Sequence, residues 1–364
     1  MRVLYFTEQD SPHDRRFLRA LAGSQHQIFA LRQYLCIPNT PTGITEISWP
    51  RQQPDWSNWR GWQAGKVQFQ TILADVQPDL VHAGPLQGPA FLTALAEFHP
   101  LVTMSWGFDL LKLAKRSPWM KLATQYALDH TDTFLGDCQA VLDEASGYGF
   151  SSSNMVRFPW GVDLDHFSPQ NAHEFGLAYR KSLNWEDKFV ILCNRTWSPV
   201  YGVDDLAVAF VQALKENGNL RLLLVGDGPQ SEMIHQILAP VEEQVHFPGY
   251  LPRQALPSTY GAADIFVSPS HCDGSSVSLL EALACGRPVL TSDIPSNREW
   301  VQTGEVGQLF RDGDIVSLKE KLLGMAEAPG LVQMGVKARQ IAEERADWRK
   351  NIKKLLKAYQ FALE

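Results

Sequence analysis

A chain of 364 residues is longer than one ordinary core supports and suits two domains of roughly 150 to 200 residues each; with 45% hydrophobic residues, among them 11 Trp and 18 Phe, both cores can be filled. A net charge of −7 argues against a nucleic-acid binder, which needs clustered cations to neutralise phosphates. The five cysteines, Cys36, Cys138, Cys193, Cys272 and Cys285, are widely spaced with no C-x-x-C pair, so neither a zinc site nor a disulfide framework is indicated and a reducing cytosol is the default compartment.

The chain enters a strand at Val3–Phe6 with no charged-then-apolar leader, and no apolar run reaches about 18 residues. A cytoplasmic protein, soluble or peripheral at the inner membrane face, is therefore expected. A polar turn from Thr7 to Asp14 follows, then a helix over Arg15–Leu21 and a strand at Gln27–Leu31. This βαβ opening lacks G-x-G-x-x-G, which weakens any dinucleotide reading. His13, in the turn, either faces a ligand or sits in the surface. Residues 38–62 carry Trp49, Trp56, Trp59 and Trp62 in a long structured loop that forms an acceptor wall or pads the core. Helix Ala64–Val76, strand Asp79–His82, helix Phe91–Phe98 and strand Leu101–Met104 lead to Ser105-Trp106-Gly107-Phe108-Asp109. Asp109 either orients a hydroxyl or N-caps the next helix. Residues 111–121 mix Lys112, Lys115, Arg116 and Lys121 with apolar side chains, a face suited to anionic headgroups or simply to solvent. Strand Thr133–Leu135, helix Ala140–Gly147 and strand Met155–Phe158 complete this half.

Pro159 to Pro169 is rich in turn formers and has no periodicity, the composition of a linker. Within it Asp163-Leu164-Asp165 spells D-x-D, a pair of carboxylates that elsewhere holds a divalent ion; the linker context explains it better. The apolar strand Phe189–Cys193 is of the parallel, fully buried type and runs into Arg195 and Tyr201. Strand Leu220–Val225 ends at Gly226-Asp-Gly-Pro229, and Val245-His-Phe-Pro-Gly249-Tyr250 follows. A strand at Asp264–Val267 then feeds a small, polar loop, an apolar helix ending at Gly286 and a strand at Pro288–Thr291. In such units ligands sit beyond the strand C-termini. The first-turn amides near Ser276, Val277 and Ser278 lack intrahelical acceptors, and the helix dipole favours an anion there, most simply a phosphate. Asp273 and Glu281 flank those amides, and both accept from hydroxyls. Ser278-Leu-Leu-Glu281 also fits a capping box. Asn297 to Trp300 and a long basic helix over Leu331–Leu363 close the chain.

Together, Arg195, the Gly226 and Gly249 turns, the Asp273–Glu281 pair and the Pro159–Pro169 crossing resemble the retaining GT-B glycosyltransferases of the group-1, family 4 type. The resemblance implies an α/β fold of two Rossmann-like parallel-sheet domains facing a cleft. The N-terminal, acceptor-binding one spans 1–160, and a C-terminal helix, about 345–364, crosses back to it; the donor-binding one spans 161–344. It implies transfer of a sugar from a nucleotide-diphosphate sugar to a hydroxyl acceptor, a glycan, lipid-linked or small molecule, with no metal or other cofactor. On the donor side it points to Arg195 and the Ser276–Ser278 amides for the diphosphate, Asp273 for sugar hydroxyls, Glu281 for the ribose, the Gly226 turn for the donor, the Gly249 turn for backbone contacts to the base, and Tyr250 on the base by stacking or merely by packing. On the acceptor side it points to His13, Trp106 and Asp109; Arg195, Asp273 and Asp109 are the catalytic candidates. The chain departs from the family pattern at Asp273, where Glu is usual, at Tyr201, where a phosphate-binding Lys is usual, and at Trp106, where a His is usual. An epimerase or phosphorylase on the same fold, or a donor-binding pseudoenzyme, stays open.

Overall fold

The computed structural model describes residues 1–35, 39–301 and 304–364. It divides into two compact units, Met1–Phe158 with Ile352–Glu364, and Pro159–Asn351. Cys36 and the first residue of the 38–62 stretch lie outside the described residues; the other four cysteines are free thiols.

The first unit is built on seven parallel strands, β1 (Arg2–Thr7), β2 (Gln27–Arg32), β3 (Ile44–Ile47), β4 (Leu80–Ala83), β5 (Leu101–Met104), β6 (Thr133–Gly136) and β7 (Met155–Arg157), in the order β3-β2-β1-β4-β5-β6-β7. Strands β1, β4 and β5 are buried along nearly their whole length, which is why they are continuous apolar runs. Strand β3 was not legible in the sequence. Ile-Thr-Glu-Ile is a short, half-exposed edge strand inside a stretch dominated by turn formers and tryptophans. Three of those tryptophans pad the core: Trp49 packs edge-on against Phe6 (6.1 Å between centroids), Trp56 against Trp49 (5.5 Å) and Trp62 (5.1 Å), and Trp62 against Phe91 (5.1 Å). Trp59 stays at the surface, edge-on to Trp119.

Helix Pro12–Ala22 starts earlier than the sequence indicated, because Ser11 and Asp14 form a reciprocal capping box and Pro12 occupies the first helical position. His13 therefore lies in the first helical turn, not in the preceding loop. The helix expected over residues 331–363 is two helices, Leu331–Arg345 and Trp348–Phe361. The break is imposed by the linker: Val162 N–H donates to Ala346 O (2.7 Å) and Trp348 N–H to Val162 O (3.0 Å), so the backbone at 346–348 pairs with an extended segment. The end of the second helix belongs to the first unit. There the buried Tyr359 hydroxyl lies 2.6 Å from Nδ1 of His82 on β4, and burial pushes the His82 pKa down to about 3, keeping the imidazole neutral.

The second unit has six parallel strands, β8 (Phe189–Cys193), β9 (Leu220–Val225), β10 (Val245–Gly249), β11 (Ile265–Ser268), β12 (Val289–Ser292) and β13 (Gly307–Phe310), in the order β10-β9-β8-β11-β12-β13. The strand order reverses between β8 and β11, so the chain leaves these neighbours in opposite directions and opens a crevice at their C-terminal ends. A Cβ on Gly307 would fall 1.8 Å from Val289 O; only glycine lets β13 pair with β12 there. The D-x-D carboxylates are separately engaged. Asp163 Oδ1 accepts from the Asp165 and His166 amides (3.2 and 3.3 Å), while Asp165 pairs with Arg349 (2.9 Å). Among the described residues no His, Cys, Asp and Glu cluster is arranged to hold a metal ion.

Candidate functional site

The switch point of the second sheet gathers the residues expected on the donor side. Arg195 leaves β8, and the loop after β11 carries Asp273 to the helix Val277–Ala284. Arg195 bridges the two: Nη1 donates to Ser276 Oγ (2.6 Å) and Ser278 Oγ (3.0 Å), and Nη2 to Asp273 Oδ2 (2.6 Å). The guanidinium also lies over the Tyr201 ring, 4.2 Å from its centroid. A planar fork can serve two hydroxyls on one nitrogen, a carboxylate on the other and a ring on its face at once; an ammonium cannot. Burial raises the Asp273 carboxyl pKa, while Arg195 and hydrogen bonds from Gly274 and Ser276 pull against that rise. Tyr201 thus supports the guanidinium from below, with its own phenol pushed up by burial.

Ser276 is the N-cap of the helix and accepts from Leu279 N–H (3.4 Å). The N-cap lies two residues before Ser278, so Ser278 and Glu281 are not cap and N3, and the capping-box reading of Glu281 falls. Glu281 is instead held at the foot of the site by a fully buried phenol: Tyr260 donates toward Glu281 Oε2 (2.9 Å) and lies 3.0 Å from Ser278 O, and Asn194 Nδ2 donates to the Tyr260 oxygen (2.8 Å). Burial, with the Glu281 charge adding, pushes the Tyr260 pKa well above its usual value. Tyr260 sits mid-helix in no recognisable motif. Asn194 could have been noticed only as the neighbour of Arg195.

The glycine turns line the other side of Arg195. Gly226 takes φ +110°, a conformation natural to glycine, and a Cβ there would sit 3.3 Å from Arg195 O. Its N–H donates to Gly249 O (2.9 Å), which sets Tyr250, 80% exposed, beside the turn. A Cβ on Gly228 would lie 2.4 Å from Trp197 O, so the Gly-Asp-Gly turn rests directly on the backbone that follows Arg195.

In the first unit, the candidates part company. His13 and Trp106 meet edge to face, 6.1 Å apart. Asp109 is buried, and its oxygens accept from Ser105 Oγ (2.7 Å) and the Trp106 and Leu86 amides (2.9 and 3.1 Å). It ties two loops together, and Gly107 rather than Asp109 occupies the N-cap position of the helix Phe108–Leu111.

This fold and this site define a class. Two Rossmann-like parallel sheets, one with an arginine, a paired carboxylate and a helix N-terminus at its switch point, are the GT-B architecture. Residues 2–138 match the family described as glycosyl transferase 4-like, and residues 187–328 the family described as glycosyl transferases group 1. The chain belongs to the group-1, family 4-like glycosyltransferases. A GDP-mannose-dependent monoacylated alpha-(1-6)-phosphatidylinositol monomannoside mannosyltransferase of Corynebacterium glutamicum is 31% identical over 212 residues, covering 56% of this chain and 55% of that one. A GDP-mannose-dependent alpha-(1-6)-phosphatidylinositol monomannoside mannosyltransferase of Mycolicibacterium smegmatis is 29% identical, covering 56% of each. The chain thus spans about half the length of the curated relatives it matches. The Anabaena protein Alr3699/HepE, crystallised with UDP, shares the fold at a TM-score of 0.80 and 19% identity, over 99% of this chain and 100% of that one.

Arg195→Ala is expected to weaken UDP or GDP binding by tenfold or more in calorimetry, since a hydrogen bond to a charged group is worth roughly 1.5–3 kcal/mol and Asp273 would be left uncompensated. Arg195→Lys should recover only part of it. Wild-type affinity in Arg195→Ala at an unchanged melting temperature would remove Arg195 from the site.

Proposed function

We propose that this chain is a retaining glycosyltransferase that moves a sugar from a nucleoside-diphosphate sugar to a hydroxyl acceptor without a metal ion. The observation that carries the reading is the Arg195 fork, fixed by Ser276, Ser278 and Asp273 at the start of a helix, with Glu281 anchored behind it. A diphosphate fits this cation and the first-turn amides of Val277 and Ser278; Asp273 takes hydroxyls of the sugar, Glu281 those of the ribose, and Tyr250 stacks on the base. In the reaction the bond from the anomeric carbon to the diphosphate oxygen breaks. The acceptor oxygen bonds to that carbon on the same face, and its proton passes to the leaving diphosphate. Arg195 and the amides are already aimed where the leaving charge grows, so little reorganisation is needed. The relatives described as GDP-mannose-dependent and the neighbour bound to UDP support a nucleotide-sugar donor.

Turnover of GDP-mannose or UDP-glucose, with free nucleotide released only in the presence of acceptor, is expected to survive EDTA. Activity abolished by EDTA and restored by Mg²⁺ or Mn²⁺ would defeat the metal-free mechanism, and acceptor-independent turnover would favour the epimerase reading.

We further propose that the acceptor is met at a membrane surface. Among the described residues no helix is long and apolar enough to cross a membrane. Trp119 and Leu122, neighbours on one face of the helix Pro118–Asp129, are 44% and 64% exposed, with Phe108 and Trp59 also exposed; Arg116 and Lys121 stand exposed on the same segment. Apolar side chains set among cations favour anionic headgroups. Sedimentation with phosphatidylglycerol vesicles should carry the protein down, with phosphatidylcholine vesicles much less so, and Trp119→Ser with Leu122→Ser should lose it. Equal recovery with both lipids, or no effect of the double variant, would refute this.

A further inference from the structure

The first sheet has a switch point of its own. Strand β1 is flanked by β2 on one side and β4 on the other, so a crevice opens at the C-terminal ends of these strands, where α/β sheets take their ligands. Glu8 follows β1, Gln33 follows β2, and Gly88 lies in the turn Leu86–Ala90 that follows β4. Two backbone hydrogen bonds hold the first two side by side, Gln33 N–H to Thr7 O (2.7 Å) and Tyr34 N–H to Glu8 O (2.8 Å). All three converge. A Cβ on Gly88 would fall 2.5 Å from Gln33 Oε1 and 3.0 Å from Glu8 Oε1.

The Gln33 side chain carries the inference. It is 1% exposed, and neither its amide oxygen nor its amide nitrogen has a hydrogen-bond partner. Leaving both ends of a buried amide unpaired is costly, so a partner belongs there. Glu8 faces it, partly exposed; burial raises its pKa to about 7, and the carboxylates of Asp109 and Asp14 add to the rise. Tyr34 also faces Glu8, its phenol pushed up by burial and by that carboxylate. The buried Arg32, on β2, has its nearest carboxylates, Asp10 and Glu46, both 3.9 Å away. Glu8, with the carboxylates of Asp109 and Asp14 in electrostatic reach of it, disfavours an anion at its own oxygens. An amide that both donates and accepts, beside a carboxyl that accepts, matches hydroxyl groups, each of which does both.

We propose that Glu8 and Gln33 form a subsite for the hydroxyls of a neutral polyol ring on the acceptor. The proposal rests on the glycosyl-transfer reading and assigns the acceptor's chemistry. A ring hydroxyl accepts from the Gln33 amide and donates to Glu8, and the absence of a side chain at Gly88 is what lets these two side-chain oxygens lie against the Leu86–Ala90 backbone.

Saturation-transfer NMR on the full chain, with myo-inositol and methyl α-mannopyranoside as probes, tests it. Wild type should transfer saturation to the ring protons of at least one probe, more strongly above pH 7 than below it as Glu8 ionises. Gln33→Leu, which removes the unpaired polar atoms at similar volume, should keep or raise the melting temperature while weakening the polyol by about tenfold, the worth of roughly one hydrogen bond. Glu8→Gln should flatten the pH dependence. An unchanged signal in Gln33→Leu, an unchanged pH profile in Glu8→Gln, or no signal from either probe in wild type would overturn the subsite. Failure of the transfer reading is separately visible: no free nucleotide would then be released from GDP-mannose or UDP-glucose in an acceptor-dependent way, whatever the polyols do.

Discussion

The second unit of this protein depends on one guanidinium. Arg195 leaves β8, Asp273 and Ser276 come from the segment after β11, and these two strands are where the sheet order reverses. A single side chain therefore staples both lips of the crevice and keeps a cation beside the first-turn amides of the helix Val277–Ala284. Taking Arg195 and Asp273 out of water is costly, and the serine hydroxyls and the Tyr201 ring offset part of that cost, while the guanidinium Nε stays buried without a hydrogen-bond partner. Asp273 and Arg195 are consequently one electrostatic unit. A change at either alters the other, so a clean division into a sugar-binding acid and a phosphate-binding base is not available to substitution at Asp273 alone.

Much of the surrounding structure serves to hold that unit still. The Gly226 turn lies against the Arg195 backbone because no Cβ intervenes, and Gly202, at φ +59°, brings the segment after Tyr201 so close to Pro269 that a Cβ would sit 2.3 Å from its carbonyl. Beneath, Tyr260 ties Glu281 and Ser278 to Asn194, and so back to the residue before Arg195. The Tyr201 substitution finds its physical sense here. A lysine at this position would add a second cation; the tyrosine instead offers a ring face to the first.

Four strands of the second unit, β8, β9, β11 and β12, were legible because parallel, doubly buried strands are unbroken apolar runs, whereas the half-buried edge strands β10 and β13 were not. Arg195, Asp273, Ser276 and Glu281 were named from that pattern, and the structure places all four at one switch point. Features that depend on tertiary contact were not legible. Edge strand β3 has no apolar alternation to announce it; the break at 346–348 comes from pairing with Val162, far away in sequence; and Tyr260 gains its role only from the fold. Asp109 was named from its motif, and its carboxylate accepts from Ser105, Trp106 and Leu86 of the neighbouring loops, contacts the motif alone does not show. Glu8 and Gln33 lie in segments without any motif, and become notable only when β1, β2 and β4 are set side by side.

The central claim is that the diphosphate sits between Arg195 and the helix that begins at Val277. A crystal structure with UDP or GDP bound tests it most directly. The account predicts phosphate oxygens within hydrogen-bond distance of the Arg195 guanidinium and of the Val277 or Ser278 amide, with a ribose hydroxyl on Glu281. A diphosphate bound elsewhere, with the Arg195–Asp273 pair untouched, would contradict it.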